Sequence, residues 1–305
     1  MPRVSILLTC YNHIAYLPEA WRSIQSQTFR DFEVIAIDDG STDGTREWLR
    51  ENAHSANLIF NDDNLGTSGS LNRALEEAKG DFVAVFNDDD VWAPEKLAEQ
   101  IALFEKFPEM GLVHTNGHFI DGKSQRFEGE PLGFSFPRTE NGDIAIALIY
   151  ANKIIASAVL AKTALLRELG GFDPAYFGSG DWHMWMRVAL KAPVGYVDKS
   201  LTSYRVHGEN ASHKLERIWR DDQRLREWLR TMSSELQSHA ESIEAWHRAE
   251  AHNEACLGTV YKLNGFSKAA RQAYAKSMKL QPKRWKTYLR WIATFLPKSW
   301  FRAMK

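Results

Sequence analysis

Two apolar runs that stop abruptly in polar turns constrain this chain most: Val4–Asn12 (V-S-I-L-L-T-C-Y-N) and Phe32–Thr45 (F-E-V-I-A-I-D-D-G-S-T-D-G-T). Short, continuous apolar runs of this kind read as parallel strands buried on both faces. In an open parallel sheet, ligands bind just beyond the carboxyl ends of the strands. Thr9, Tyr11 and Asn12 hold that place after the first run, and Asp38 and Asp39 after the second. Aspartates next to glycine also shape turns with no ligand involved, so these residues alone leave both readings open.

The rhythm of the following residues supports a layered α/β domain. Strands are expected at Val4–Thr9, Phe32–Ile37, Leu58–Phe60 and Phe82–Phe86, and helices at Leu17–Ser26, Thr45–Asn52, Ser68–Ala78 and Pro94–Lys106. This alternation predicts a mostly parallel sheet covered by helices on both faces. From 111 to 203 the pattern loosens. Strands are expected at Gly111–Asn116, His118–Ile120, Ile155–Leu160 and Val194–Val197, with a helix at Asp181–Lys191. Residues 127–142, rich in Gly, Pro and charge, read as a long loop of the kind that forms lids or binding loops.

After His207 the composition shifts to helix formers and charge, with long helices expected at Lys214–Met232 and Ser242–Leu263. Leu257, Gly258, Tyr261, Gly265, Ala270, Tyr274 and Pro282 fall at the spacings of one tetratricopeptide-like repeat, about 251–282. A single repeat cannot build a solenoid, so a helical hairpin packed on the rest of the chain is expected over a peptide-binding array. The domain division expected is 1–207 and 208–305, the latter ending in a basic, aromatic tail at 283–305.

Composition excludes several classes. A formal net charge of -1 gives no electrostatic footprint for nucleic acid, which is not expected as a partner. The only cysteines, Cys10 and Cys256, are far apart in sequence, so a structural disulfide is not expected and a reducing, cytoplasmic setting is. The chain enters a strand directly, without the pattern of a signal peptide. No uncharged apolar run approaches the ~20 residues of a membrane span.

The motifs quoted so far, with those downstream, resemble the family-2 glycosyltransferases, which have the GT-A fold. Asn64-Leu65-Gly66 with Asn72 resembles the family's N-x-G…N segment. Asn87-Asp88-Asp89-Asp90-Val91-Trp92-Ala93-Pro94 resembles its acidic metal-binding motif. Gly170-Gly171-Phe172-Asp173, Gly180-Asp181-Trp182 and Tyr204-Arg205-Val206-His207 follow in the family's order, over roughly the first two thirds of the chain. Chance matches rarely keep one order at plausible spacings.

The resemblance implies an inverting transferase that moves a sugar from a nucleotide-diphosphate donor, a UDP-sugar for preference, to a hydroxyl acceptor in surface polysaccharide or glycolipid assembly. It implies that Thr9, Tyr11, Asn12 and Asp39 meet the nucleotide and that Asp88 meets the ribose or a metal-bound water. A carboxylate is acceptor-only, which suits Asp39 to a uracil imide N–H. Asp89 is then the ligand of Mg2+ or Mn2+, hard cations that bridge to substrate phosphates, with His207 a further ligand. Asp181 is the general base that takes the proton from the attacking hydroxyl. Each also has a plain reading: acidic triplets and a helix-opening aspartate serve as caps, and a lone histidine sits in many cores. Trp182 and Trp185 fit a sugar platform and core packing equally well. The chain departs from the family at Asn87, where many relatives carry Asp, and at Gly180, where many carry an acid.

Two rival functions fit these residues less well. A nucleotidyltransferase would open with a Gly-rich phosphate loop, and Thr9-Cys10-Tyr11-Asn12 lacks one. The alternative is a non-catalytic nucleotide-sugar-binding protein acting through its helical region, and the presence of both Asp89 and Asp181 counts against it. The basic and aromatic residues of 283–305 are the composition of a segment lying on an anionic membrane, which implies peripheral attachment to the inner face of the cytoplasmic membrane, within reach of a lipid-linked acceptor.

Overall fold

A computed structural model describes residues 1–132, 135–208, 210 and 214–295 of the chain. Eight strands among them form one sheet: β1 (Val4–Cys10), β2 (Phe32–Asp38), β3 (Asn57–Phe60), β4 (Phe82–Asn87), β5 (Val91–Trp92), β6 (Leu112–Ile120), β7 (Val159–Lys162) and β8 (Val194–Arg205). Their order is β3-β2-β1-β4-β7-β6-β8-β5. The β3-β2-β1-β4 half is parallel, β7 runs antiparallel to β4 and β6, and β6 and β8 are again parallel. Helices α1 (Leu17–Gln25), α2 (Thr45–Asn52), α3 (Gly66–Glu77), α4 (Lys96–Lys106), α6 (Thr163–Glu168) and α7 (Gly180–Ala189) flank it; α5 (Ala145–Tyr150) falls between α4 and α6 in sequence. This is the expected α/β, GT-A arrangement.

The core follows from strand alternation and helix periodicity. Ile6, Leu8, Ala36, Ala84 and Phe86 point from the parallel strands into a cluster with Leu17, Trp21 and Ile24 of α1 and Leu97, Ile101 and Phe104 of α4. Each large side chain buried this way stabilises the domain by ~1.5–3 kcal/mol relative to an exposed one. The α1 and α4 layer thereby fixes the carboxyl ends of β1 and β4.

The second half differs from expectation in three places, the first being that the strand expected at Ile155–Leu160 is a 3-10 turn at Ala156–Ala158 followed by β7. One strand, β6, replaces the two expected around Gly117. β8 passes so close there that a Cβ on Gly117 would lie 1.9 Å from the Thr202 carbonyl oxygen, beside register shifts at Thr115, Asn116 and Gly117. Likewise β8 extends through the polar run Asp198-Lys199-Ser200 to Arg205, because pairing with β6 overrides the turn-like composition. The long loop is pinned in its described part by Phe136, 5.6 Å from the Phe119 ring, and by Gly142, whose N–H donates to the Val194 carbonyl at 2.9 Å.

The chain divides into two compact units: Met1–Ile144 with Asn152–Asn210, and Ala145–Ala151 with the described residues of Ala211–Lys305. The segment containing α5 thus falls with the helices. The second unit contains α8 (Leu215–Thr231), α9 (Ser233–Ser238), α10 (Ile243–Leu263), α11 (Ser267–Leu280) and α12 (Trp285–Ala293). In the α10–α11 hairpin, Tyr274 packs so tightly on Gly258 that a Cβ there would meet its ring at 2.7 Å, and the Tyr274 hydroxyl pairs with Thr259 Oγ1 at 2.9 Å. Buried Glu254 ties the hairpin to α8 through Arg230, 2.8 Å from Nε to Oε1. Of the expected tail, 296–305 lies outside the described residues. No described helix is long and apolar enough to cross a membrane.

Candidate active site

Parallel pairing brings the ends of β1, β2 and β4 to one edge. Thr9 is in register with Ile37 and Asn87, and Cys10 with Asp38. Past this point the strands are stitched by backbone bonds, Asp39 N–H to the Cys10 carbonyl at 2.9 Å and Asp88 N–H to the Thr9 carbonyl at 3.2 Å. The residues singled out at the ends of the first, second and fourth strands therefore share one rim. Cys10 itself is buried, and burial pushes its thiol pKa well up, so it behaves as an apolar filler.

On the β2 side, Asp39 is an anchor. Its Oδ1 accepts from Asn61 Nδ2 at 2.7 Å and from the Leu65 N–H at 2.8 Å, and its Oδ2 accepts from the Gly66 N–H at 2.9 Å. These bonds hold the Asn64-Leu65-Gly66 turn and the start of α3. A carboxylate offers about four acceptor positions, so protein groups take three of them. Neighbouring Asp38 is fully buried and paired with Arg46 Nε at 2.9 Å. Asn12, at φ 55°, takes the Thr42 N–H on its Oδ1 at 2.8 Å while its own N–H donates to Ser41 Oγ at 3.0 Å. Thr9 Oγ1 donates to Asn87 Oδ1 at 3.3 Å, and the Tyr11 ring is exposed at the rim.

On the β4 side the acids gather with two histidines. Buried Asp88 accepts from the Tyr11 N–H at 3.0 Å and meets His13 Nδ1 at 2.7 Å. Burial raises its pKa and His13 draws it back. Asp89 Oδ2 lies 3.0 Å from His207 Nε2, and the His13 and His207 rings meet edge-on with centroids 5.0 Å apart. One ligand atom from each of His13, Asp89 and His207 lies within 4.8 Å of the others. Two ligands bound at right angles, each ~2.1 Å from an octahedral ion, stand ~3 Å apart, so the Asp89–His207 spacing fits a divalent cation.

Arg205 holds this side together. It is 1% exposed; its Nε donates to the Asp89 carbonyl at 2.7 Å, its backbone N–H to Asp90 Oδ1 at 2.9 Å, and its Nη2 to Glu19 at 2.7 Å. The guanidinium lies 4.8 Å from the Tyr16 ring centroid, and that ring is 4.9 Å from His207. Asp90 is fully buried; burial, then the charge of Asp89, pushes its pKa well up. Sequence reading passed over His13 and the tying role of Arg205. The signal for His13 was its place directly after Thr9-Cys10-Tyr11-Asn12; the number of partners Arg205 gathers is tertiary and has no sequence mark.

Asp181 sits in the first turn of α7. Its Oδ2 accepts from Asn152 Nδ2 at 3.1 Å and its Oδ1 from the Trp182 N–H at 2.6 Å. The preceding Gly180 is buried, and a Cβ there would lie 2.5 Å from Ser68 Oγ in α3. The start of α3 is thus gripped by Asp39 on one side and met by Gly180, next to Asp181, on the other. Trp185 is fully buried and 5.8 Å from the Phe172 ring, so it belongs to the core and not to a sugar platform. Asn72 clamps the G-G-F-D turn, accepting from the Phe172 N–H and donating to its carbonyl, both at 2.7 Å.

Fold and rim define a GT-A protein, and the family follows from sequence. The model of glycosyl transferase family 2 matches residues 5–159, slightly more than half of the 305 residues, and the chain belongs to that family. It is 26% identical over 220 residues to an uncharacterized glycosyltransferase of Nostoc sp., covering 68% of this chain and 66% of that one. An uncharacterized glycosyltransferase of Rickettsia felis is 26% identical over 70% of this chain, which spans only 36% of that protein's length. Among solved structures, S. aureus TarS 1-349 superposes with a TM-score of 0.66 at 18% identity, over 97% of this chain and 89% of that one. The mannosyltransferase PcManGT from Pyrobaculum calidifontis, solved with GDP-Man and Mn2+, superposes with a TM-score of 0.59 at 22% identity, over 98% and 87%. These likenesses show the fold.

Proposed function

We propose that this chain transfers a sugar from a UDP-sugar to a hydroxyl of a glycan or lipid-linked acceptor, with inversion at the anomeric carbon. The observation that carries the reading is the meeting of Asp89, His207 and His13 at the carboxyl edge of the parallel strands, beside Asp88. TarS 1-349 has been solved with UDP-GlcNAc, which makes a UDP-sugar the donor to try first. The transfer is assigned to 1–207, with 208–305 as a helical region.

In this reading the exposed Tyr11 ring stacks on the base, and Thr9 and Asn12 shape the floor beneath it. Asp39 sets the Leu65–Gly66 turn and keeps one acceptor position for the base. Asp88 faces the ribose, oriented by the Tyr11 N–H and His13. Asp89, His207 and His13 would hold Mg2+ or Mn2+; such an ion supplies positive charge against the departing diphosphate. Asp181 takes the proton of the acceptor hydroxyl while its oxygen bonds to the anomeric carbon and the carbon–diphosphate oxygen bond breaks. A single displacement inverts the centre. The membrane face is the setting we assign to the acceptor.

The test is incubation with a panel of UDP- and GDP-sugars and Mn2+, reading nucleotide release without acceptor. Slow, EDTA-sensitive release of UDP is expected. Release that ignores EDTA removes the metal from the proposal, and no release from any donor removes the transfer.

A further inference from the structure

A surface helix ordinarily turns its apolar stripe inward. In α12 the stripe is turned outward. Trp285, Tyr288, Leu289 and Ile292 recur at helical spacing within an arc of roughly 100°, Phe295 follows just past the helix, and all five are between 41% and 63% exposed. The residues buried in and just after this helix are small, Thr287, Ala293 and Thr294. Lys286 borders the stripe, and Lys283, Arg284 and Arg290 lie within a turn of it. From Pro282 to Lys305 the sequence carries seven basic residues and no acidic one.

We propose that the outward face of α12 docks on an anionic lipid bilayer. Rings and aliphatic side chains enter at headgroup depth while the lysines and arginines around them meet anionic headgroups, the chemistry of a helix that lies in the interface. The alternative occupant, a second copy of this chain, is disfavoured by charge. A two-fold interface would press the same cationic patch against itself, with no acidic residue in the segment to answer it. The proposal rests on the membrane setting assigned above and not on the transfer chemistry.

Two exposed stripe positions give a variant that spares the core, Leu289→Glu with Ile292→Glu. The full chain and this variant are sedimented with phosphatidylcholine vesicles, with and without phosphatidylglycerol, at low and high salt, after circular dichroism shows matching spectra. The full chain is expected to bind the phosphatidylglycerol vesicles, to bind neutral ones ~10-fold less, and to be released by salt. The variant is expected to lose binding ~10-fold or more while 296–305 stays in place. Should the pair disturb folding, Trp285→Ser replaces it with the same expectation. Equal binding by parent and variant, or binding indifferent to phosphatidylglycerol and salt, overturns the proposal. So does a concentration-dependent dimer, seen by analytical ultracentrifugation and abolished by the substitutions, with no vesicle binding. No donor is present in this assay, so loss of vesicle binding and loss of UDP release are separate failures.

Discussion

Asp39 and Asp88 sit one residue past neighbouring parts of the same sheet edge, yet their surroundings differ. Asp39 receives three N–H donors from Asn61, Leu65 and Gly66. Asp88 receives the Tyr11 N–H and shares His13, and burial still raises its pKa. The first carboxylate is used by the fold, holding a turn and a helix start through these three bonds. The second is held at a cost to the fold, as expected of a group kept for a ligand. Residue type and strand-end position do not separate the two roles; the donors each carboxylate gathers do.

Three tests, the second of them a pair of substitutions, would break or sharpen this contrast. The largest effect is expected at Asp181, where Asp181→Asn should cut turnover ~100-fold or more and leave donor affinity nearly unchanged. Steady-state kinetics beside calorimetric donor binding checks this, and normal turnover would refute the base assignment. Next, Asp39→Asn should destabilise the protein by ~1–3 kcal/mol, because an amide N–H₂ then faces a backbone N–H. Asp88→Asn, which removes a charge that burial disfavours, should be neutral or stabilising in the same denaturant titration. Matching losses in the two variants would erase the distinction.

The smallest effect concerns acid. Burial lowers the pKa of His114 to about 3 and, with Arg187, that of His183 to about 4, from 6.5. Both histidines are therefore neutral in the fold and take up protons more readily when unfolded. Their contribution is fully present above about 6.5 and declines as pH falls toward 4. Thermal scans should show the midpoint dropping over that interval, and less steeply in His183→Asn. A midpoint that rises on acidification would contradict the assignment.

Much of this was legible in sequence because it is local. The first four parallel strands announce themselves as apolar runs ending in turns, and β1, β2 and β4 appear within a residue of their expected ends. The acids Asp88 and Asp89 stand at a strand end, where topology places ligands. What escaped was set by distant partners. β8 runs through Asp198-Lys199-Ser200 because β6 pairs with it. Arg205 matters through Asp89, Asp90 and Glu19, more than a hundred residues away. Trp182 and Trp185 could not be sorted between platform and core by spacing, and burial assigns Trp185 to the core.

The central claim is that Asp89, His207 and His13 form one cation site that serves the donor. Mn2+ binding measured by electron paramagnetic resonance, with and without UDP, tests it without recourse to turnover. The chain is expected to bind Mn2+ more tightly when UDP is present, and Asp89→Ala and His207→Ala each to weaken that binding ~10-fold or more, with His13→Ala weaker in the same direction. Undiminished Mn2+–UDP binding in Asp89→Ala would contradict the account.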